Sequence, residues 1–233
     1  MTTSRDVIVF AGPSFRPADL ARLRELAVTM GRTLEVRPPV RRGDLLDLAD
    51  GPKRTAVIID GEFGQRLAVS IAEVRAVLAT GQPLTGASSM GALRAVECRT
   101  LGMTGTGWIY RQYLDGTIDS DGDVALLYDP EDFAPVTIPL VNVRWLLKRT
   151  GLPEGPAEAA LRIAHGVHFR DRRPSVLLRA WERHLPEGVS AVLLAELSPD
   201  RRDAWDRKRL DALAAVRMAL GLHGTDARPS ELT

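Results

Sequence analysis

The sequence predicts an α/β fold: a mostly parallel, helix-covered sheet of Rossmann-like or flavodoxin-like type with a C-terminal helical extension. Two observations predict it. Short β-branched strands alternate with helical periodicity up to Glu97, the pattern of a parallel sheet wrapped by crossover helices. Beyond the break at LPEGP near residue 153 the pattern from Glu158 is helical, in AEAALRIAHGVHFRDR, SVLLRAWERHL and RKRLDALAAVRMALG.

The elements follow in order. VIVFAG (7–12) is a β-branched and aromatic run stopped by Gly-Pro, as a buried parallel strand is. From Pro17 to Met30, Leu20, Leu23, Leu26 and Ala27 recur at helical spacing. TLEVRPP reads as a second strand, GDLLDLAD as a short helix, and AVIID (56–60) as the most apolar strand. Ser70–Thr80 places Ile71, Val74, Val77 and Leu78 on one helix face, Gly81 ends it, and PLTGAS supplies a fourth strand. After Glu97 a glycine-rich loop, a short helix and an acidic turn are expected before a strand VALLY; TIPLVNVRWLLKRT is an amphipathic helix. AEAALRIAHGVHFRDR, SVLLRAWERHL and RKRLDALAAVRMALG are helical patterns, and HGTDARPSELT is a polar tail. The expected organisation is a core domain over 1–152, a helical extension over 153–222 and a disordered tail over 223–233.

Composition narrows the function classes. Lys plus Arg number 31 against 30 Asp plus Glu, a net charge of +1, so no global field favours nucleic acid or membrane. The single Cys98 makes neither an internal disulfide nor a metal-binding pair. No apolar segment approaches the roughly 20 residues that span a bilayer. MTTSRDVIVFAGPS lacks the basic start and cleavage site of a signal peptide, so a soluble chain is expected from its first strand, and the lone cysteine fits a reducing, cytoplasmic setting.

In a parallel sheet, ligands bind beyond the carboxyl ends of the strands. Four loops therefore matter: GPS (12–14), RPPVRRGD (37–44), DGEF (60–63) and GASSMG (86–91). Ser88 or Ser89 can cap the helix starting near Met90; equally, the amides of Met90 and Gly91 can hold an anion, or a serine can act as nucleophile. The Gly-x-Ser-x-Gly pattern is not matched, since Met90 stands where glycine would. A base is also missing nearby: His165, His168, His184 and His223 all lie in the C-terminal third. Asp60 and Glu62 end the most apolar strand, where a carboxylate orients a serine, acts as base or simply shapes a turn. Arg41, Arg42 and Arg94 are candidate cations, with surface ion pairing as the plainer role for each. Ser14, in the first of the four loops, joins the anion-binding candidates.

Other patterns argue against themselves. Asp115, Asp119, Asp121 and Asp123 fail the EF-hand test, because counting from Asp119 gives Val124 and Pro130 where glycine and glutamate belong. His165 and His168, three apart on an expected helix, lack a third ligand; packing and ion pairing account for them better. Trp145 and Trp181 read as core. No metal site and no cofactor are expected.

The ordered series VIVFAGPS, RPPVRRGDLL, IIDGEF, GASSMGALRAVE, GMTGTGWIYRQYLDGTIDSDGDVALLY and VNVRWLL, spanning residue 7 to about 147, resembles the TfuA family. HFRDR and DRKRLDAL are similar to the looser helical extension of those proteins. The resemblance implies a partner of an ATP-dependent YcaO enzyme in peptide backbone thioamidation, the replacement of an amide oxygen by sulfur in a precursor peptide. It further implies recruitment or release of sulfide, by hydrolysis of a thiocarboxylated ThiS-like carrier protein, or allosteric activation of YcaO. Whether the chain is itself an enzyme stays open between these. With no P-loop in the sequence, ATP chemistry falls to the partner. For thioacid hydrolysis, Ser88, Ser89, Asp60 and Arg94 are the catalytic candidates, and Ser14, Arg41, Arg42, Met90 and Gly91 the anion-binding ones. Cys98 is a candidate persulfide carrier, with a packing thiol as the alternative.

Overall fold

The computed structural model describes residues 6–64 and 67–222; the expected tail over 223–233 lies outside the described residues. The chain divides into two compact units. The first comprises the described residues up to Asp119 and those from Arg209 on; the second is Ser120–Lys208.

The first unit is built on a five-stranded parallel sheet in the order β2-β1-β3-β4-β5, with β1 at Asp6–Phe10, β2 at Thr33–Arg37, β3 at Thr55–Ile58, β4 at Leu84–Gly86 and β5 at Thr104–Gly105. This is the flavodoxin-like strand order, whose topological switch point falls between β1 and β3. The register aligns Arg37, Phe10, Ile58, Gly86 and Gly105 in one row at the carboxyl ends of the strands. The loops that follow β1, β2, β3 and β4 are the four that the sequence singles out.

Period-two alternation splits the strand side chains between two cores. Ile8, Phe10, Ala56, Ile58 and Leu84 face one side, with Leu48 of α2 (Leu46–Asp50), Val74 and Val77 of α3 (Ile71–Ala79), and Ala95 of α4 (Met90–Glu97). Val7, Val9, Val57 and Ile59 face the other, with Leu23 and Ala27 of α1 (Pro17–Thr29). Strands covered on both faces must be apolar on both, which is why VIVF and AVII read as unbroken runs. Helix α3 starts at a capping box in which the Glu73 amide donates to Ser70 Oγ and the Ser70 amide to Glu73 Oε1. Helix α5 (Trp108–Leu114) completes the series.

The second unit is helical: α6 (Leu140–Arg149), α7 (Glu154–Gly166), α8 (Pro174–His184), α9 (Glu187–Glu196) and α10 (Arg202–Trp205). Trp181 is fully buried and its indole N–H donates to the Ala160 carbonyl; Trp145 donates to Ala204. Helix α11 (Arg207–Ala219) brings the chain back, and from Arg209 on its residues belong to the first unit, where Ala212, Ala215 and Val216 pack on the α1 side of the sheet.

Three expectations are corrected. VALLY forms no strand: Val124 and Ala125 follow a 3-10 turn at Asp121–Asp123, and Tyr128 makes only an isolated bridge to Pro135. The glycine-rich stretch after Glu97 contains β5, because Thr104 and Gly105 pair with Thr85 and Gly86. The helix carrying His165 stops at Gly166, which leaves His168 in the following turn.

Candidate functional site

The switch point is organised by Asp60. Its Oδ2 accepts hydrogen bonds from the Gly12 amide at 2.9 Å and the Ser14 amide at 3.0 Å, and its Oδ1 accepts the Ser14 hydroxyl at 2.7 Å. A second hydroxyl, that of Ser88, lies 3.1 Å from Ser14 Oγ. A serine hydroxyl carries one proton. With the Ser14 proton directed to Asp60, Ser88 is the donor to Ser14, and the chain of donation runs Ser88 to Ser14 to Asp60. Ser14 and Asp60 are each 2% exposed and Ser88 0%, so bulk water does not compete for these bonds.

Steric pressure at the start of α4 explains why Ser88 is there. An ideal Cβ on Gly86 would stand 2.0 Å from the Gly91 carbonyl oxygen, and one on Gly91 would stand 1.8 Å from that of Ile58. Only glycine lets α4 begin directly against the ends of β3 and β4. The chain between them must reverse in three residues. Ser88 does so with φ +68°, in the left-handed region, while the Ser89 amide donates back to the Ala87 carbonyl at 2.9 Å. This closes a γ-type turn around Ser88, a strained conformation for a residue with a side chain. A strained serine between a strand and a helix is the geometry of a nucleophile elbow, here with glycines two residues before and three after the serine.

The helix-cap reading of the two serines is overturned. Ser89 occupies the N-cap position of α4, but its side chain makes no cap hydrogen bond. The tight crossing uses backbone acceptors instead: the Ser89 and Gly91 amides both donate to the Ile59 carbonyl, at 3.3 and 3.2 Å. Gly91 therefore has no amide to offer an anion, whereas among the described residues the Met90 amide meets no acceptor. Ser89 is buried beside Ser88.

The cations lie elsewhere. Arg94 Nε donates to the Val69 carbonyl at 2.9 Å and its Nη1 pairs with Glu97, so its bonds run along the α3 side of α4. Arg41 pairs with Glu62 at 3.3 Å, its side chain largely exposed, and its amide donates to Asp44. The Arg42 amide donates to the Leu67 carbonyl, and its side chain is exposed. The structure thus joins Ser14, Asp60 and Ser88. It gives Arg41, Arg94 and Glu62 other partners.

Cys98 is fully buried in the core, and burial, aided by the Glu97 carboxylate, pushes its thiol above the ordinary range. The protonated form is favoured, which suits packing and not sulfur transfer. His165 and His168 are exposed, the latter against Phe169 with ring centroids 4.5 Å apart. Among the described residues no group of three or more His, Cys, Asp or Glu side chains could hold a metal ion, and no helix is long and apolar enough to cross a membrane.

A family model described as TfuA-like protein matches residues 60–173. This region is TfuA-like. The match supports assigning the chain to the TfuA family and begins at Asp60, taking in Ser88 and Ser89. Ser14 lies outside it. No curated protein among those compared matches the chain. All three residues of the hydrogen-bonded chain are candidates in the sequence, Ser14 as an anion ligand and Asp60 and Ser88 as catalytic groups, but their connection is not visible there. The missing signal was strand order: only with β1 beside β3 does GPS meet Asp60.

Proposed function

We propose that this TfuA-like protein serves YcaO-dependent peptide backbone thioamidation in the cytoplasm by releasing sulfide from a thiocarboxylated ThiS-like carrier protein, with Ser88 as nucleophile. The observation that carries the reading is Ser88 itself, held in a left-handed strand-to-helix elbow and donating towards a buried carboxylate at the switch point. In this reaction Ser88 Oγ bonds to the thioacid carbon, the C–S bond breaks, and the carrier is left as an ester on Ser88. Water then cleaves the ester. The net change converts thiocarboxylate and water into carboxylic acid and HS⁻. The amides of Ser89 and Gly91 are taken by backbone carbonyls, so the Met90 amide, which meets no acceptor among the described residues, is the donor left for a developing oxyanion. Activation of the peptide amide with ATP, and capture of the sulfide, belong to the YcaO partner.

A second reading is favoured by one observation, the complete burial of Ser88. Here the Ser14, Asp60 and Ser88 network is a structural lock, and the protein is a docking or allosteric subunit of YcaO. The two readings separate on purified components. The first expects the protein alone to release HS⁻ from the thiocarboxylated carrier, and expects Ser88→Ala to abolish that release. Absence of release by the wild-type protein, together with full stimulation of YcaO supplied with free sulfide, overturns it in favour of the second.

A further inference from the structure

From the hydrogen-bonded chain at the switch point we infer that Ser14 and Asp60 form a two-proton relay for Ser88, in the place that histidine holds in a Ser-His-Asp triad. The inference rests on the proposed nucleophilic role of Ser88 and adds Ser14 as its positioning residue. The absence of histidine from the sheet loops is the difficulty it resolves. His165, His168 and His184 belong to the helical unit, no histidine precedes them in the chain, and His223 lies outside the described residues.

The proton count leaves one route. Ser14 Oγ donates to Asp60 Oδ1 at 2.7 Å and therefore accepts from Ser88 at 3.1 Å. The amides of Gly12 and Ser14 hold Asp60 Oδ2, which keeps Oδ1 turned to the Ser14 hydroxyl. As Ser88 Oγ bonds to the thioacid carbon, its proton passes to Ser14 and the Ser14 proton passes to Asp60. The tetrahedral intermediate then carries negative charge on both oxygen and sulfur. Sulfur leaves as HS⁻ only if it gains a proton, and the reverse movement from Asp60 through Ser14 supplies it. In the second half-reaction the attacking water loses a proton to Ser14 while the Ser14 proton passes to Asp60, and the reverse movement through Ser14 returns a proton to Ser88 as its ester bond breaks. Atoms and charge balance without any oxidant, reductant or metal. A lock of purely structural purpose would need the same bonds, but it would move no protons during turnover.

The test uses the full chain and a thiocarboxylated carrier, with HS⁻ release followed in mixtures of H₂O and D₂O. Two protons in flight predict a curved dependence of kcat on deuterium fraction for the wild type. Ser14→Ala is expected to lower kcat roughly 10²- to 10⁴-fold, the usual worth of general acid–base catalysis, with KM nearly unchanged. Ser14→Thr, which keeps the hydroxyl, is expected to restore most of the loss. Thermal melts establish that each variant is folded. A straight dependence in the wild type overturns the relay, as does a folded Ser14→Ala that turns over at the wild-type rate while Ser88→Ala does not. Should Ser14→Ala fail to fold, the wild-type curve and Ser14→Thr decide. No release by the wild type removes the relay together with the hydrolase reading, an outcome distinct from failure of Ser14 alone.

Discussion

Gly91 and Ile58 are in such close backbone contact that a Cβ on the glycine would lie 1.8 Å from the Ile58 carbonyl oxygen. Neither atom belongs to a flexible side chain, so the clash cannot be relieved by a rotamer change. Gly91→Ala is expected to cost about 4 kcal/mol or more, at the top of the range for point substitutions, and to abolish HS⁻ release by lifting α4 and Ser88 from β3. Gly188→Ala is the control. That glycine lies within α9 with open space where the Cβ would go, so the change is expected to stabilise by roughly 0.5–1 kcal/mol. Urea unfolding of both variants checks the contrast.

The same pair marks how far the sequence could be read. The apolar runs at β1 and β3 and the periodic helices α1, α3 and α6 were legible because their burial follows directly from residue type and spacing. Strand β5 was not, because Thr104 and Gly105 carry no apolar or β-branched run and take part only through pairing with β4. Helix α9, with Leu194 exposed and Leu193 buried in a run that is apolar all round, offers no clean stripe. At the site, Ser14, Asp60 and Ser88 were each visible as residues at strand ends. Their bonds were not, since they join positions 46 and 74 apart in sequence. The strain at Ser88 comes from the spacing of Gly86 and Gly91 across the strand-to-helix crossing, which differs by one residue from the usual elbow motif.

Asp19 and Arg209 supply a test that involves no chemistry. Arg209 donates from Nε to Asp19 Oδ2 at 2.7 Å and from Nη2 to Oδ1 at 2.6 Å, a two-pronged pair with both side chains nearly buried. Burial alone would raise the Asp19 carboxyl; the hydrogen bonds and charge of Arg209, with Arg16, outweigh it and hold the group below its ordinary value. A lowered folded-state value means that the unfolded chain binds the proton more tightly. The contribution is thus complete above the unfolded value of about 3.9 and lost as pH falls through the lower folded one. Arg209→Met is expected to cost about 3–5 kcal/mol at neutral pH by stranding a buried carboxylate. Its deficit relative to wild type should shrink below about pH 4, where Asp19 in the variant is protonated. Chemical denaturation at several pH values measures both.

Cys98 should be silent in the reaction. With the thiol fully buried and pushed towards its protonated form, alkylation by iodoacetamide is expected only as fast as the protein opens. Cys98→Ala should release HS⁻ at the wild-type rate once folded, and losing its sulfur from the core should cost about 1 kcal/mol. Trapping of a persulfide on Cys98 by mass spectrometry would contradict this placement.

Ser88 joins strain to chemistry, and replacing it inverts an ordinary rule. In a regular helix or strand, glycine is less stable than alanine by roughly 0.5–1 kcal/mol. At φ +68° the order reverses, because a left-handed residue with a Cβ costs about 1–2 kcal/mol that glycine does not incur. Both Ser88→Ala and Ser88→Gly remove the hydroxyl that donates to Ser14, so that loss is common to the pair and cancels in the comparison. Ser88→Gly is therefore expected to be the more stable of the two by about 1–2 kcal/mol, read as a higher melting temperature. Neither should release HS⁻. Equal melting temperatures would mean that the turn relaxes out of the left-handed region once the hydroxyl is gone. The elbow would then be held by the Ser88–Ser14 bond, and not by the crossing of Gly86 and Gly91.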